Sequence, residues 1–292
     1  MSIPDFLTVG HVARDLQPDG YFSLGGTVTY AALTAQRLGL STAIVTSADT
    51  ELQAALPNYL PHIALHLRTS ANSTTFANSY HEGFRTQYLH ARSDDLTPVD
   101  IPVAWQRSPV VLLGPLAQEL GPEFVTLFPR THENLLAATP QGWLRRWDAD
   151  GRVWPTPWKE AEQLLPYLDV LILSHDDLLP FAGGNRSEAD AILMRWSQLV
   201  PLLIATDGRH GATLFRYGTT TRFPAYPVTE VDPTGAGDVF AAAFLTHFWQ
   251  HKEPAAAVNF ANCVASFSIE QPGVQGIPTP AMIAQRLRPL AP

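Results

Sequence analysis

The chain has 292 residues, 19 Lys+Arg against 27 Asp+Glu, and a net charge of −8. Only Lys159 and Lys252 are lysines, and neither stands in a G-x-x-x-x-G-K-[ST] run, so a Walker-type phosphate loop is excluded; an acidic chain also lacks the basic face that a sequence-independent grip on nucleic acid needs. With 46% hydrophobic residues the chain is not disordered, a single cysteine (Cys263) precludes an intrachain disulfide, and no apolar run approaches the roughly 18 residues of a membrane span.

The first residues, Ser2-Ile3-Pro4-Asp5, lack the basic stretch of a secretion leader, and with the lone cysteine they suggest a cytoplasmic protein. Phe6–Gly10 reads as a short buried strand, and Tyr21–Leu24 as a second after the Asp19-Gly20 turn. Gly25-Gly26 opens a helix with Val28, Ala31, Ala32, Ala35 and Leu38 on one face, closed by Gly39. Thr42–Thr46 is a buried strand, and His62–Arg68 alternates as a strand with one wet face. Thr74–Tyr80 and Thr86–Ala91 flank Glu82-Gly83 as a hairpin. Pro109–Leu113 and Leu135–Ala138 are apolar strands. A tryptophan-rich stretch from Trp143 to Trp158 is expected to cover a sheet edge, and Glu160–Leu168 reads as a helix. Val170–Leu173, Leu202–Ala205 and Thr213–Phe215 are strands, followed by helices at Ala236–His251, Pro254–Ile269 and Pro280–Leu287.

Strands alternating with helices predict an α/β fold, a mostly parallel sheet covered on both faces. The early segments near Tyr21 and over Thr74–Ala91 break the alternation and predict a small separate sheet on a single domain spanning residues 1–292. His62 and His66 fall on one wet face of a strand, and His247 and His251, four apart on a helix, lack acidic or cysteine partners, so neither pair is read as a metal site. Cys263 lies on an apolar helix and is expected to be packed and inert.

The chemistry concentrates in Val231-Asp232-Pro233-Thr234-Gly235-Ala236-Gly237-Asp238-Val239-Phe240. Small residues leading straight into a helix let a ligand approach the backbone, and the first helical N–H groups with the helix dipole make an anion site without a lysine. Asp238, in the first turn, is placed to take a proton from an alcohol attacking phosphorus. Its bland alternative is a helix-start carboxylate favoured by the dipole. The run does not match G-x-G-x-x-G, which disfavours a dinucleotide oxidoreductase.

Asp-Pro-Thr-Gly-Ala-Gly-Asp-Val-Phe resembles the C-terminal signature of the ribokinase/PfkB carbohydrate kinase family. Gly25-Gly26 with its helix, Gly10 with Asp15, Thr206-Asp207-Gly208-Arg209-His210-Gly211, and Pro272-Gly273 with Ile277-Pro278 resemble further family segments in order and spacing. The resemblance implies a ribokinase-like three-layer α/β/α sandwich with a small β-sheet lid from segments about 12–24 and 72–92. It implies an ATP-dependent kinase acting on a small sugar, polyol or nucleoside. Asp238 would be the base and Gly235, Ala236 and Gly237 the anion hole. Asp15, Gly25, Gly26, Tyr30 and Arg85 would face the substrate. Thr206, Gly208, Arg209 and Gly211 would lie near ATP, with Asn262 by the adenine. Mg²⁺ would be held largely through phosphate oxygens and waters, with Asp177, or alternatively Asp176, holding a metal-bound water, and K⁺ would sit at Asp232 and Thr234. Lid strands pairing between subunits would make a homodimer.

Two departures qualify the resemblance. Ser174-His175-Asp176-Asp177 stands where the family has Asn-x-x-Glu, and Tyr30 where many relatives have Asn. Thr74-Thr75-Phe76-Ala77-Asn78 with Arg85-Thr86-Gln87-Tyr88 is similar to an inositol-kinase-like branch. The altered Ser174–Asp177 segment leaves a catalytically idle binding protein on the same scaffold as the rival expectation.

Overall fold

The structure, a computed structural model, describes residues 2–17, 19–81, 84–129, 131 and 134–288. In chain order the elements are β1 (Phe6–Val9), β2 (Ala13–Leu16), β3 (Phe22–Gly25), α1 (Thr27–Arg37), β4 (Thr42–Ala48), α2 (Thr50–Tyr59), β5 (Ala64–Thr69), β6 (Thr74–His81), β7 (Phe84–Ala91), β8 (Val110–Leu113), α3 (Phe124–Leu127) and β9 (Leu135–Ala138). There follow β10 (Arg145–Trp147), β11 (Val153–Pro155), α4 (Ala161–Leu164), β12 (Val170–Ser174), α5 (Arg186–Trp196), β13 (Leu202–Thr206), β14 (Ala212–Arg216), β15 (Thr219–Phe223), α6 (Ala236–His251), α7 (Pro254–Ser268) and α8 (Pro280–Arg286).

A nine-stranded sheet runs β15-β14-β13-β12-β9-β8-β1-β4-β5. It is parallel from β13 to β5, and β14 and β15 add antiparallel strands at one edge. The side-chain period of 2 explains why its strands read as unbroken apolar runs: each feeds two cores. Phe6, Ile44, Leu112, Ile172 and Ile204 face the core under α1, α6 and α7. Their neighbours Leu7, Val45, Leu113, Leu173 and Leu203 face the opposite core, with Phe124 of α3, Leu164 of α4 and Leu193 of α5. The α6 run Val239–Leu245 is apolar all round because it is enclosed between the sheet, α1 and α7. Burying a side chain such as Phe244 (0% exposed) contributes about 1.5–3 kcal/mol.

The predicted small sheet is present, ordered β3-β2-β6-β7. β2 and β6 pair in parallel, so the sheet is mixed. The turn at Glu82-Gly83 lies outside the described residues. The tryptophan stretch departs from expectation: it forms a hairpin, β10–β11, whose turn hydrogen-bonds to the lid strand β7 through Leu89 N–H to Gly151 O, 2.8 Å. Trp143 and Trp158 are buried rather than draped on an edge, stacked at 4.7 Å with Trp196 edge-on to Trp158 at 5.8 Å. The expected helix over Glu160–Leu168 breaks into α4 and a 3-10 turn at Leu165–Tyr167, which contains Pro166. The strand Ala13–Leu16, the helices Thr50–Tyr59 and Arg186–Trp196, and the edge strand Thr219–Phe223 were not foreseen. Among the described residues no helix is long and apolar enough to cross a membrane.

Candidate active site

The C-terminal ends of the parallel strands deliver the site, as in open α/β sheets generally. Gly10 follows β1, Gly114 follows β8, Thr139 follows β9, Asp177 follows β12, and the Asp207–Gly211 turn follows β13. Two helices begin at this rim on glycines with no side-chain cap: α1 at Gly26 (φ 96°) and α6 at Gly235 (φ 76°). By contrast α2, α5 and α8 have their first N–H groups met by Asp49, Asn185 and Thr279. An uncapped helix start leaves its donors to a ligand.

The two glycine starts differ in what surrounds them. A Cβ on Gly26 would lie 2.6 Å from His11 O, and one on Gly25 1.9 Å from Asp15 Oδ2. Here glycine makes room for the protein itself. A Cβ on Gly235 would lie 2.4 Å from the Tyr30 ring, whereas around Gly237 nothing comes within 4 Å. Gly237 therefore faces open space. Ala236 N–H turns inward to Pro233 O at 3.2 Å.

Asp238 is half-buried in the first turn of α6. Burial pushes its carboxyl up to about 6, against a lowering by the Thr27 hydroxyl and Arg145, with Asp177 and Asp15 raising it further. Thr27 Oγ1 has no partner of standard hydrogen-bond geometry, yet it lies close enough to favour the ionised carboxylate. Thr139 Oγ1 is a second buried hydroxyl without a partner, and a Cβ on Gly114 would lie 2.5 Å from Thr27 and 3.7 Å from Thr139. Neither threonine, nor Arg145, was picked out from the sequence. Thr27 carried a local signal, since it follows Gly25-Gly26 directly. Thr139 and Arg145 carried none.

Tyr30 is 3% exposed. Its ring lies under Gly235, and burial followed by Asp15, Asp238 and Asp232 holds its hydroxyl protonated. Tyr30 thus forms the floor of the loop at Gly235. Asp232 joins that loop to the closing loop, accepting Thr234 N–H at 2.9 Å and Gly273 N–H at 3.0 Å. Asp177 accepts Ser174 N–H at 3.0 Å; burial raises its carboxyl above the usual range, opposed by that bond and by Arg145. Among the described residues no three His, Cys, Asp or Glu side chains form a metal-binding group. A single carboxylate fits an Mg²⁺ that keeps its waters and takes phosphate oxygens.

The structure thus brings Asp15, Tyr30, Asp177, Asp232 and Asp238 within electrostatic reach of one another. The expected nucleotide residues lie at the β13 side. Thr206 donates to Leu173 O at 3.3 Å, and Gly208 and Arg209 are exposed. A Cβ on Gly211 would lie 2.0 Å from Phe223 O, and the Asn262 amide donates to the carbonyls of Phe223 and Pro224 at 3.5 and 3.3 Å. Asn262, 8% exposed, thus ties α7 to the segment after β15. Arg85 lies on β7, and its side chain is outside the described residues. Cys263 is buried, its thiol pushed up to about 11 by that burial, as an inert packed cysteine would be.

Residues 148–282 match the pfkB family carbohydrate kinases. The chain is 32% identical to a probable fructokinase-5 of Arabidopsis thaliana over 42% of this chain and 39% of that protein. It is 25% identical to an inositol 3-kinase of Oryza sativa subsp. japonica over 73% of this chain and 51% of that protein. It therefore spans about half or less of the length of these curated relatives. A pyrophosphate-dependent kinase of the ribokinase family, solved with a pyrophosphate analogue and myo-inositol, superposes with a TM-score of 0.80 over 96% of this chain and 99% of its own, at 24% identity. A Thermotoga maritima ribokinase gives 0.74 over 98% and 99%, at 20% identity.

Proposed function

We propose that this chain, whose residues 148–282 match the pfkB family carbohydrate kinases and whose fold is ribokinase-like, is a phosphotransferase that moves a phosphoryl group from a nucleoside triphosphate, ATP, to a hydroxyl of a small sugar, polyol or nucleoside. The observation that carries this is Asp238: a half-buried carboxylate at an uncapped helix start, held near 6, within electrostatic reach of Asp15. A base with that value is ionised at neutral pH and still accepts a proton readily as the alcohol attacks. Gly235 and Gly237 at the start of α6 would receive the transferred group's negative charge. Mg²⁺, when bound beside Asp177, would neutralise phosphate charge. K⁺ at Asp232 and Thr234 belongs to the same proposal, as does a cytoplasmic location.

Among acceptors, an inositol-like polyol is favoured by the rice relative, by the inositol-bound neighbour and by the Thr74-Thr75-Phe76 start of the lid hairpin. Pyrophosphate is a second reading for the donor. It is favoured by the engagement of Asn262 and Gly211 in internal packing on the side where an adenine is expected, and by the pyrophosphate-dependent neighbour. The lid's outer strand β3, beside Tyr21 (75% exposed) and Leu16 (37% exposed), offers an edge to a second copy, whereas β7 is covered by the chain's own hairpin.

The test is phosphate transfer to inositols, fructose, ribose and adenosine, with ATP and with pyrophosphate as donors, across a KCl titration. Turnover on at least one pair is expected. Ligand-induced thermal stabilisation with no transfer from either donor would instead favour an idle binding protein on the same scaffold.

A further inference from the structure

The site is acidic, and a phosphoryl donor carries charge of the same sign. Asp15, Asp177, Asp232 and Asp238 lie near one another, and the chain's two lysines are both exposed, Lys252 at the opposite end of α6 from Asp238. Bringing a multiply charged phosphate among four carboxylates calls for a fixed cation besides the metal.

One side chain stands where that cation is needed. Arg145 begins β10, and its guanidinium lies 5.8 Å from the ring centroid of Phe76. Phe76 is the strand partner of Asp15 across β2 and β6, so the guanidinium sits over the lid residue next to the expected substrate aspartate. It lies near enough to Asp177 and Asp238 for its charge to oppose the rise that burial gives both carboxyls. A guanidinium stacked on an aromatic face presents a planar fork of donors matched to phosphate oxygens.

The mounting is rigid. The Gln118 amide donates to Arg145 O, and Gln118 adopts a left-handed φ of 57°. The next residue, Glu119, is 1% exposed and accepts the N–H groups of His11 (2.9 Å), Leu116 (2.9 Å) and Ala117 (2.7 Å). The loops after β1 and β8 are thereby tied to one buried carboxylate, which braces the base of β10. At its other end the hairpin joins the lid: Tyr88 pairs with Arg152, and a Cβ on Gly151 would lie 2.5 Å from Leu89 O.

We propose that Arg145 binds the phosphoryl group under transfer, and that the β10–β11 hairpin carries it as part of the lid, so that the cation and the substrate cover are positioned together. This rests on the phosphotransferase reading above. No bond is made to Arg145. It stabilises charge on the transferring oxygens while Asp238 takes the alcohol proton.

The experiment compares wild type with Arg145→Gln, Arg145→Lys and Arg145→Ala. It uses steady-state kinetics with the best donor and acceptor, calorimetric titration with magnesium pyrophosphate, and thermal melts. For Arg145→Gln the expected result is a kcat lower by about 10²–10³-fold with the acceptor KM within about threefold, and a pyrophosphate affinity at least tenfold weaker. Arg145→Lys should regain at least tenfold of the lost kcat, and millimolar guanidinium should raise the turnover of Arg145→Ala. A kcat for Arg145→Gln within threefold of wild type overturns the assignment. So does a loss that neither Lys nor guanidinium relieves and that accompanies a melting point more than about 10 °C lower, which marks a structural arginine. If wild type transfers nothing from either donor, the kinase reading fails on its own. The pyrophosphate titration then still decides for Arg145, equal binding by wild type and Arg145→Gln overturning the assignment and loss of binding upholding it.

Discussion

Two helix starts in this molecule carry an aspartate, and the chain treats them in opposite ways. At α2, Asp49 is the cap itself. It accepts Leu52 N–H at 2.8 Å, the Ser73 hydroxyl at 2.7 Å and Arg14 at 2.8 Å. Burial would raise its carboxyl, but these partners hold it below the usual range. At α6 the cap is glycine. Asp238 lies three residues further on, and its surroundings raise it to about 6. Asp49 is what a structural helix-start carboxylate looks like when its partners are complete. Asp238 is a carboxylate with fewer partners, raised mainly by burial, and this supports its proposed role in proton exchange.

The largest effect should come from breaking the member of the pair proposed as the base. Asp238→Asn removes the base and keeps the shape, and kcat should fall by about 10²–10⁴-fold with the fold intact. Near-normal turnover in this variant would remove Asp238 from the chemistry. Asp49→Ala should do the reverse. It deletes a cap and leaves Arg14 short of a partner, costing about 1–2 kcal/mol in urea unfolding while kcat stays within about threefold. Equal losses of activity in both variants would erase the distinction.

Gly237→Ala sharpens the same contrast on the backbone. No atom lies within 4 Å of the added methyl, and Gly237 does not have a positive φ. In a first helical turn the change should raise stability by about 0.5–1 kcal/mol. It should also lower kcat/KM about tenfold or more, because the methyl enters the space a phosphate would occupy. A variant that is more stable and fully active would mean that the rim of α6 touches no ligand.

How much of this was legible in the sequence follows from how each part is held. β1, β4, β8, β12 and β13 were visible because each feeds both cores and so reads as a continuous apolar run. Asp238 and its glycines were visible because a contiguous motif carries them. β2 was not: Ala13-Arg14-Asp15-Leu16 is half polar, and only pairing with β3 and β6 makes it a strand. α5 buries just Ala189, Leu193 and Trp196, too sparse a stripe to stand out, and α2 contains Pro57. Thr139 and Arg145 reach the site from segments about a hundred residues before Asp238. Their roles are set by tertiary placement alone, which no local pattern encodes. Tyr30 was visible as a departure from the family, but its place beneath Gly235 needed the packing of α1 on α6.

The smallest effect is also the one that ties the two aspartates to a single measurement. A group whose carboxyl is raised on folding binds its proton more tightly in the native state. Asp238 therefore favours the native state most below its unfolded value near 3.8, and that contribution is lost as pH rises through about 6. Asp49 is lowered on folding, so its contribution is present above the unfolded value and is lost as pH falls through the lowered one. Asp238→Asn, neutral at every pH, should thus melt no higher than wild type near pH 4 and a few degrees higher at pH 8, with the gain appearing between these limits and worth on the order of 1–3 kcal/mol. Asp49→Asn should melt lower than wild type at pH 8 and converge with it in acid. Thermal melts of the three proteins from pH 4 to pH 8 therefore give difference curves of opposite sign. Curves of the same sign would mean that Asp238 is as well satisfied at its helix start as Asp49 is, and its claim to be the base would lose its physical ground.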